Sequence, residues 1–155
     1  MGLLAFWRKD FTVQFTFDGF KRLLRLAKRL EQDEDDFAST LQRAMALYAH
    51  VASWKNNPLF RLAADGDHVP CRLKDCVVGP CGPYAYELDF CCSWREWVII
   101  RRVLSESGDP DLSVTVGRAL ELLELKLDGR LPQLYAIDRR GEFEQVELPS
   151  ATSLV

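Results

Sequence analysis

The sequence predicts an α+β fold built from two diverged copies of one strand-helix-helix unit. Three observations carry that expectation. A strictly alternating stretch lies at Phe11-Thr-Val-Gln-Phe-Thr-Phe17, two segments of helical spacing follow it at once, and the same order starts again at Tyr84. The alternation sets Phe11, Val13, Phe15 and Phe17 on one face of a strand and Thr12, Gln14 and Thr16 on the other.

The first helical segment begins after Asp18, a residue suited to cap it, and carries Phe20, Leu23, Leu24, Ala27 and Leu30 on one stripe. Lys21, Arg22, Arg25, Lys28 and Arg29 fill the rest of its surface, a pattern usually explained by solvation of an outer face. The acidic run Asp33 to Asp36 suits the positive end of a second helix, which is carried by Phe37, Leu41, Ala44, Tyr48 and Val51 and stopped by Asn56-Asn57-Pro58. A short strand is expected at Leu59 to Leu62, ending in the turn Asp65-Gly66-Asp67. Residues 68–83, rich in Cys, Pro and Gly, are expected to connect the halves.

The second copy opens with a strand whose Tyr84, Tyr86, Leu88 and Phe90 share one face, leaving Ala85, Glu87 and Asp89 on the other. Ser93 and Glu96 make a capping box for a helix bearing Trp94, Trp97, Val98, Ile100 and Leu104, closed by Ser107-Gly108. Asp109-Pro110 is expected to start the last helix in the order of cap then proline. Its stripe of Leu112, Val116, Ala119, Leu123 and Leu127, widened by Leu120, Leu122 and Leu125, predicts the most buried element. A hairpin is expected from Gln133 to Leu148 around Asp138-Arg139-Arg140-Gly141, with Pro149 to Val155 as a tail.

A chain of 155 residues is long enough for one real core, and its formal charge of −3 supplies no global attraction to phosphate. Five cysteines, an odd number with Cys91 and Cys92 adjacent, point to reduced thiols and hence a cytoplasmic protein. The apolar stub Met1 to Trp7 runs into Arg8, Lys9 and Asp10, too short for a membrane span or a signal core, so no membrane partner is expected.

Without gaps, Arg43-Ala44 falls on Arg118-Ala119, Leu47 on Leu122 and Gly66 on Gly141, each pair 75 positions apart. Strand, helix, helix, then a short strand and a glycine turn resembles the ribbon-helix-helix family over Phe11 to Asp67 and Tyr84 to Leu148. The resemblance implies tandem copies at 1–67 and 84–155, each followed by a short strand or hairpin. It further implies that they pair their strands into one antiparallel ribbon and share a four-helix core, as a monomeric pseudo-twofold unit. It also implies that outward ribbon side chains read the DNA major groove and that the start of each second helix holds a phosphate. By position the DNA-reading residues are Thr12, Gln14 and Thr16. Ala85, Glu87 and Asp89 occupy the matching places in the second copy, where two carboxylates oppose the phosphate field, as do Asp33 to Asp36, Asp109 and Asp111 at the helix starts.

Other candidates weigh less. His68, Cys71, Cys76 and Cys81 offer zinc-type donors, but their spacing lacks a tight Cys-x2-Cys knuckle, and no metal or cofactor is assigned. Trp54, Trp94, Trp97, Tyr84 and Tyr86 suit either a core or a partner surface, and Trp7 sits in a stub outside both copies. Two histidines, His50 and His68, no phosphate loop and no nucleophile elbow give catalysis no footing, and Glu121 and Glu124 read as solvated helix acids. The expected function is a non-catalytic binding protein, an adaptor or regulatory subunit of a bacterial complex, with Glu87, Asp89 and Trp7 toward a protein partner. The alternative is a transcriptional regulator reading DNA through its paired strands.

Overall fold

Strand β1 (Arg8–Thr16) runs without a loop into helix α1 (Phe17–Arg29), because Thr16 ends the strand and caps the helix. The structure, a computed structural model, describes residues 8–30, 37–52, 59–71 and 77–147. The Thr16 hydroxyl accepts the Gly19 N–H at 3.0 Å, so the cap is Thr16 and not Asp18, which instead places its charge in the positive first turn. The chain continues through α2 (Phe37–Ala52), β2 (Leu59–Leu62), β3 (His68–Cys71) and β4 (Tyr84–Ser93). Helix α3 (Trp94–Ser107), α4 (Leu112–Leu127), β5 (Leu134–Ile137) and β6 (Phe143–Val146) complete it.

The second half repeats the direct strand-to-helix step. Ser93 ends β4 and caps α3 with the expected box: Ser93 Oγ accepts the Glu96 N–H at 3.2 Å, and Glu96 accepts the Ser93 N–H at 3.0 Å. Later elements keep one spacing, since Phe37 and Leu112, Leu59 and Leu134, and His68 and Phe143 begin equivalent elements 75 positions apart.

The two halves interlock through two antiparallel sheets. β1 pairs with β4 as a two-stranded ribbon, with Thr12 opposite Asp89 and Gln14 opposite Glu87. The other sheet has the order β3-β2-β5-β6, joining the hairpin of each half at its centre, where Phe60 faces Tyr135. His68 to Cys71, read from sequence as connecting chain, is therefore a strand. Its Pro70 is tolerated because β3 is an edge and one N–H can be lost there. Gly66 and Gly141, at φ of 90° and 81°, close equivalent turns in which the glycine N–H reaches Ala63 O and Asp138 O.

One core fills the space between ribbon and helices. Phe11, Val13 and Phe15 from β1 and Phe90 and Cys92 from β4 meet Leu23 and Leu26 of α1, Leu41 and Met45 of α2, Ile100 and Val103 of α3, and Leu120 and Leu123 of α4. Ala44 and Ala119, both fully buried, lie on α2 and α4, the helices whose contact is the most extensive in the core. As expected, α4 is deeply buried, with Thr115, Val116, Ala119, Leu120, Leu122 and Leu123 all inside. Gly117 lets the Val77–Pro80 segment cross α4 closely, since a Cβ there would fall 2.7 Å from Pro80 Cγ.

Three expectations differ. Tyr84 and Tyr86 are substantially exposed: the register shifts just beyond the pair of Phe15 with Tyr86, where β1 turns into α1, and Tyr86 stacks on Phe20 at 4.5 Å. Trp94 and Val98 also face out, while Ile100 and Val103 carry the buried side of α3 and Trp97 leans on Phe11 at 5.4 Å. Asp109 does not cap α4. Asp111 does, accepting the Val114 N–H at 2.9 Å, which leaves Asp109 free to be buried.

Candidate functional site

The outer face of the ribbon follows from strand parity. Once β1 is extended to Arg8, the exposed residues facing away from the core are Arg8, Asp10, Thr12 and Gln14 on one strand and Ala85, Glu87, Asp89 and Cys91 on the other. Three carboxylates thus stand against one guanidinium. Thr12 Oγ1 donates to Asp89 Oδ1 at 2.8 Å, joining the two strands across the face. The Gln14 backbone N–H donates to Ser113 Oγ at 2.9 Å, which ties the ribbon to the start of α4.

The structure separates the three residues expected to read DNA. Thr12 and Gln14 are exposed on the outer face, but Thr16 is buried, with its hydroxyl committed to the α1 cap. Glu87 and Asp89 are on the outer face as expected. Trp7, Trp54, Cys76 and Asp33 to Asp36 lie outside the described residues. Asp10 was missed by sequence reasoning. The alternation that would have found it continues one step before Phe11, through the charged Arg8-Lys9-Asp10 run.

Behind the ribbon, the helix ends carry two polar clusters. In one, Asp109 Oδ2 accepts the Tyr48 hydroxyl at 3.0 Å and the Thr115 hydroxyl at 2.9 Å, while Oδ1 accepts Arg118. Asp109 has no exposed side-chain surface, so its charge depends wholly on these partners. Burial, followed by the charge of Asp109, pushes the Tyr48 phenol up to about 12.

In the other cluster, Glu124 accepts from Arg22 at 3.1 Å and from Arg25 in a two-pronged contact, and Asp128 accepts from Arg29. Burial acts to raise the Glu124 carboxyl, but hydrogen bonds from Arg25 and Arg22 and their charges outweigh it and hold it below the ordinary value. The expected solvated basic face of α1 is therefore in large part a latch onto α4, and Glu124 is its hub rather than a solvated acid. Glu121 is engaged as well, accepting the Gly79 N–H at 3.2 Å.

The cysteines and histidines are spread out. Cys71 is buried under the four-stranded sheet, Cys81 and Cys91 are exposed, and the buried Cys92 thiol is pushed up to about 11, chiefly by burial. His68 stacks flat on Phe143 at 3.8 Å. Among the described residues, no three His, Cys, Asp or Glu side chains gather as a metal-holding group. A cleft of about 180 Å3 beside the ribbon is lined by Gln14, Asp18, Arg22, Cys81, Ser113 and Glu121, which brings a thiol near two acids and no imidazole. Among the described residues, no helix is long and apolar enough to cross a membrane.

No family model, curated protein or solved structure matches the chain. The functional reading rests on the arrangement of its own residues.

Proposed function

We propose that the protein is a non-catalytic adaptor or regulatory subunit, built on a ribbon-helix-helix-like scaffold, that receives a basic segment of a protein partner on its ribbon. The observation that carries this reading is the sign of the ribbon's outer face, where Asp10, Glu87 and Asp89 outnumber Arg8. Carboxylates two residues apart on one strand face sit about 7 Å from each other and repel by about 0.6 kcal/mol even in water. A cationic partner relieves that repulsion and a phosphate backbone adds to it. The withdrawal of Thr16 into a helix cap supports the same reading, since one of the three side chains positioned to read bases is unavailable.

Fluorescence anisotropy with a labelled Arg- and Lys-rich peptide tests it. Binding that weakens about tenfold or more in the Glu87→Gln/Asp89→Asn double variant is expected, from the loss of two charge contacts. Equal affinity of wild type and variant, or no binding by either at low salt, would overturn the proposal. The alternative, a DNA regulator, draws on the exposure of Thr12 and Gln14 on a paired ribbon. It requires the same double variant to bind duplex DNA more tightly than wild type does.

A further inference from the structure

The four-stranded sheet breaks the usual rule for a sheet with one covered side. Cys71, Leu134, Ala136 and Val146 form its buried face, so the opposite face should be polar. Strand parity instead puts Phe60, Leu62, His68, Pro70, Tyr135, Ile137 and Phe143 there, with Gln145 the one polar amide among them. None carries a formal charge at neutral pH with histidine neutral. Leu62 and Ile137 are about half exposed, at 50% and 49%, and Phe143 is 42% exposed. The aromatic members already order one another: Phe60 meets Phe143 edge-on at 5.1 Å and His68 meets Tyr135 at 4.8 Å.

We infer that this face is an interface between two copies of the chain, closed by a twofold axis lying in the plane of contact. Two features favour a second copy as occupant. First, the face is nearly self-matching, because Phe60 and Tyr135, Leu62 and Ile137, and His68 and Phe143 are equivalent positions of the two halves. Second, its rim is self-complementary in charge. β2 and β5 are antiparallel, so the turn with Asp65 and Asp67 and the turn with Arg139 and Arg140 lie at opposite ends of the sheet.

In the second turn, Asp138 turns its carboxylate inward onto the N–H groups of Arg140 at 2.8 Å and Glu142 at 2.9 Å, much as Asp65 accepts the Asp67 N–H at 3.0 Å in the first, so exposed Arg139 and Arg140 stand at the tip with the acids Asp138 and Glu142 beside them. An axis at right angles to the line between the turns sets the acidic turn of each copy on the arginine turn of the other. An apolar centre with a polar rim is the usual anatomy of a protein interface. The face and its turns contribute only about a dozen residues per copy, against roughly 20–30 in a standard interface, so a reversible dimer is expected.

Sedimentation velocity across micromolar concentrations tests the inference. Wild type is expected to shift from monomer to dimer, Ile137→Asp to weaken association about tenfold or more, and Arg139→Glu/Arg140→Glu to weaken it as well. Adding Asp65→Lys/Asp67→Lys to the arginine variant re-creates opposite ends and is expected to restore the dimer. The charge variants alter only exposed turn side chains, so they test the interface even if Ile137→Asp perturbs folding. A monomer at every concentration, as expected if another protein covers the face, would overturn the inference. So would a dimer indifferent to all these substitutions.

Discussion

The two halves share a frame and differ in their polar residues. At equivalent positions 75 apart, Leu41 and Val116, Ala44 and Ala119, Met45 and Leu120, and Leu47 and Leu122 are all buried. Their surroundings have diverged. Thr115, buried on α4, donates to Asp109, whereas the equivalent Thr40 on α2 is equally buried and its hydroxyl has no partner among the described residues. Glu124 latches α4 to α1, and the equivalent residue on α2 is Ala49. On the ribbon, β1 turns neutral Thr12 and Gln14 outward where β4 turns acidic Asp89 and Glu87. The apolar positions, which fit one shared core, match. The polar positions differ, and Asp109 and Glu124 of the second half tie it to Tyr48, Arg22 and Arg25 of the first.

The largest test of this contrast is Asp109→Ala. It strands Arg118, whose side chain is only 16% exposed, and removes the carboxylate that accepts the Tyr48 and Thr115 hydroxyls. A loss of about 3–5 kcal/mol is expected in urea unfolding. A loss under about 1 kcal/mol would mean that the cluster is not a structural centre.

The paired threonines give a sharper and smaller comparison. Thr115→Val is expected to cost about 1 kcal/mol, while Thr40→Val, which removes a buried unpaired hydroxyl, is expected to be neutral or stabilising. Equal costs at the two positions would erase the proposed asymmetry.

Two pH profiles follow from the same clusters. The raised Tyr48 pKa means that stability is fully present below the ordinary value of 10.0 and is lost as pH climbs through about 12. Tyr48→Phe is expected to flatten the urea-midpoint profile across that window, and an unchanged alkaline slope would place the sensitivity elsewhere. The lowered Glu124 pKa has the opposite sign, contributing stability above the ordinary 4.5 that is lost as pH falls through the folded-state value. Arg25 is half exposed, so Glu124→Gln is expected to cost only about 1 kcal/mol at neutral pH, with a shallower acid limb.

Much of this architecture was legible in the sequence because it is periodic. The alternation from Phe11 located β1, the leucine stripe from Leu112 located α4, and the 75-residue spacing aligned the later elements of both halves. Local competition hid the caps: Thr16 and Asp18, like Asp109 and Asp111, are neighbouring residues of cap-competent type, and only the path of the chain selects between them. The strand at His68–Cys71 was obscured by Pro70, which reads as loop unless the strand is known to be an edge. The polar clusters were beyond reach. Tyr48 and Asp109 are 61 residues apart, and Arg22 and Glu124 are 102 apart, so no local pattern announces either pairing. The ribbon's outer acids were legible from alternation alone, Asp10 only once the alternation is carried one step before Phe11.

That outer face bears the central claim, and titration of labelled mixed-sequence duplex DNA with the protein at low salt tests it most directly. Wild type is expected to leave the DNA anisotropy unchanged, because Asp10, Glu87 and Asp89 meet the phosphates with like charge. Tight binding by wild type that falls steeply as salt is raised would show several phosphate contacts and contradict the account.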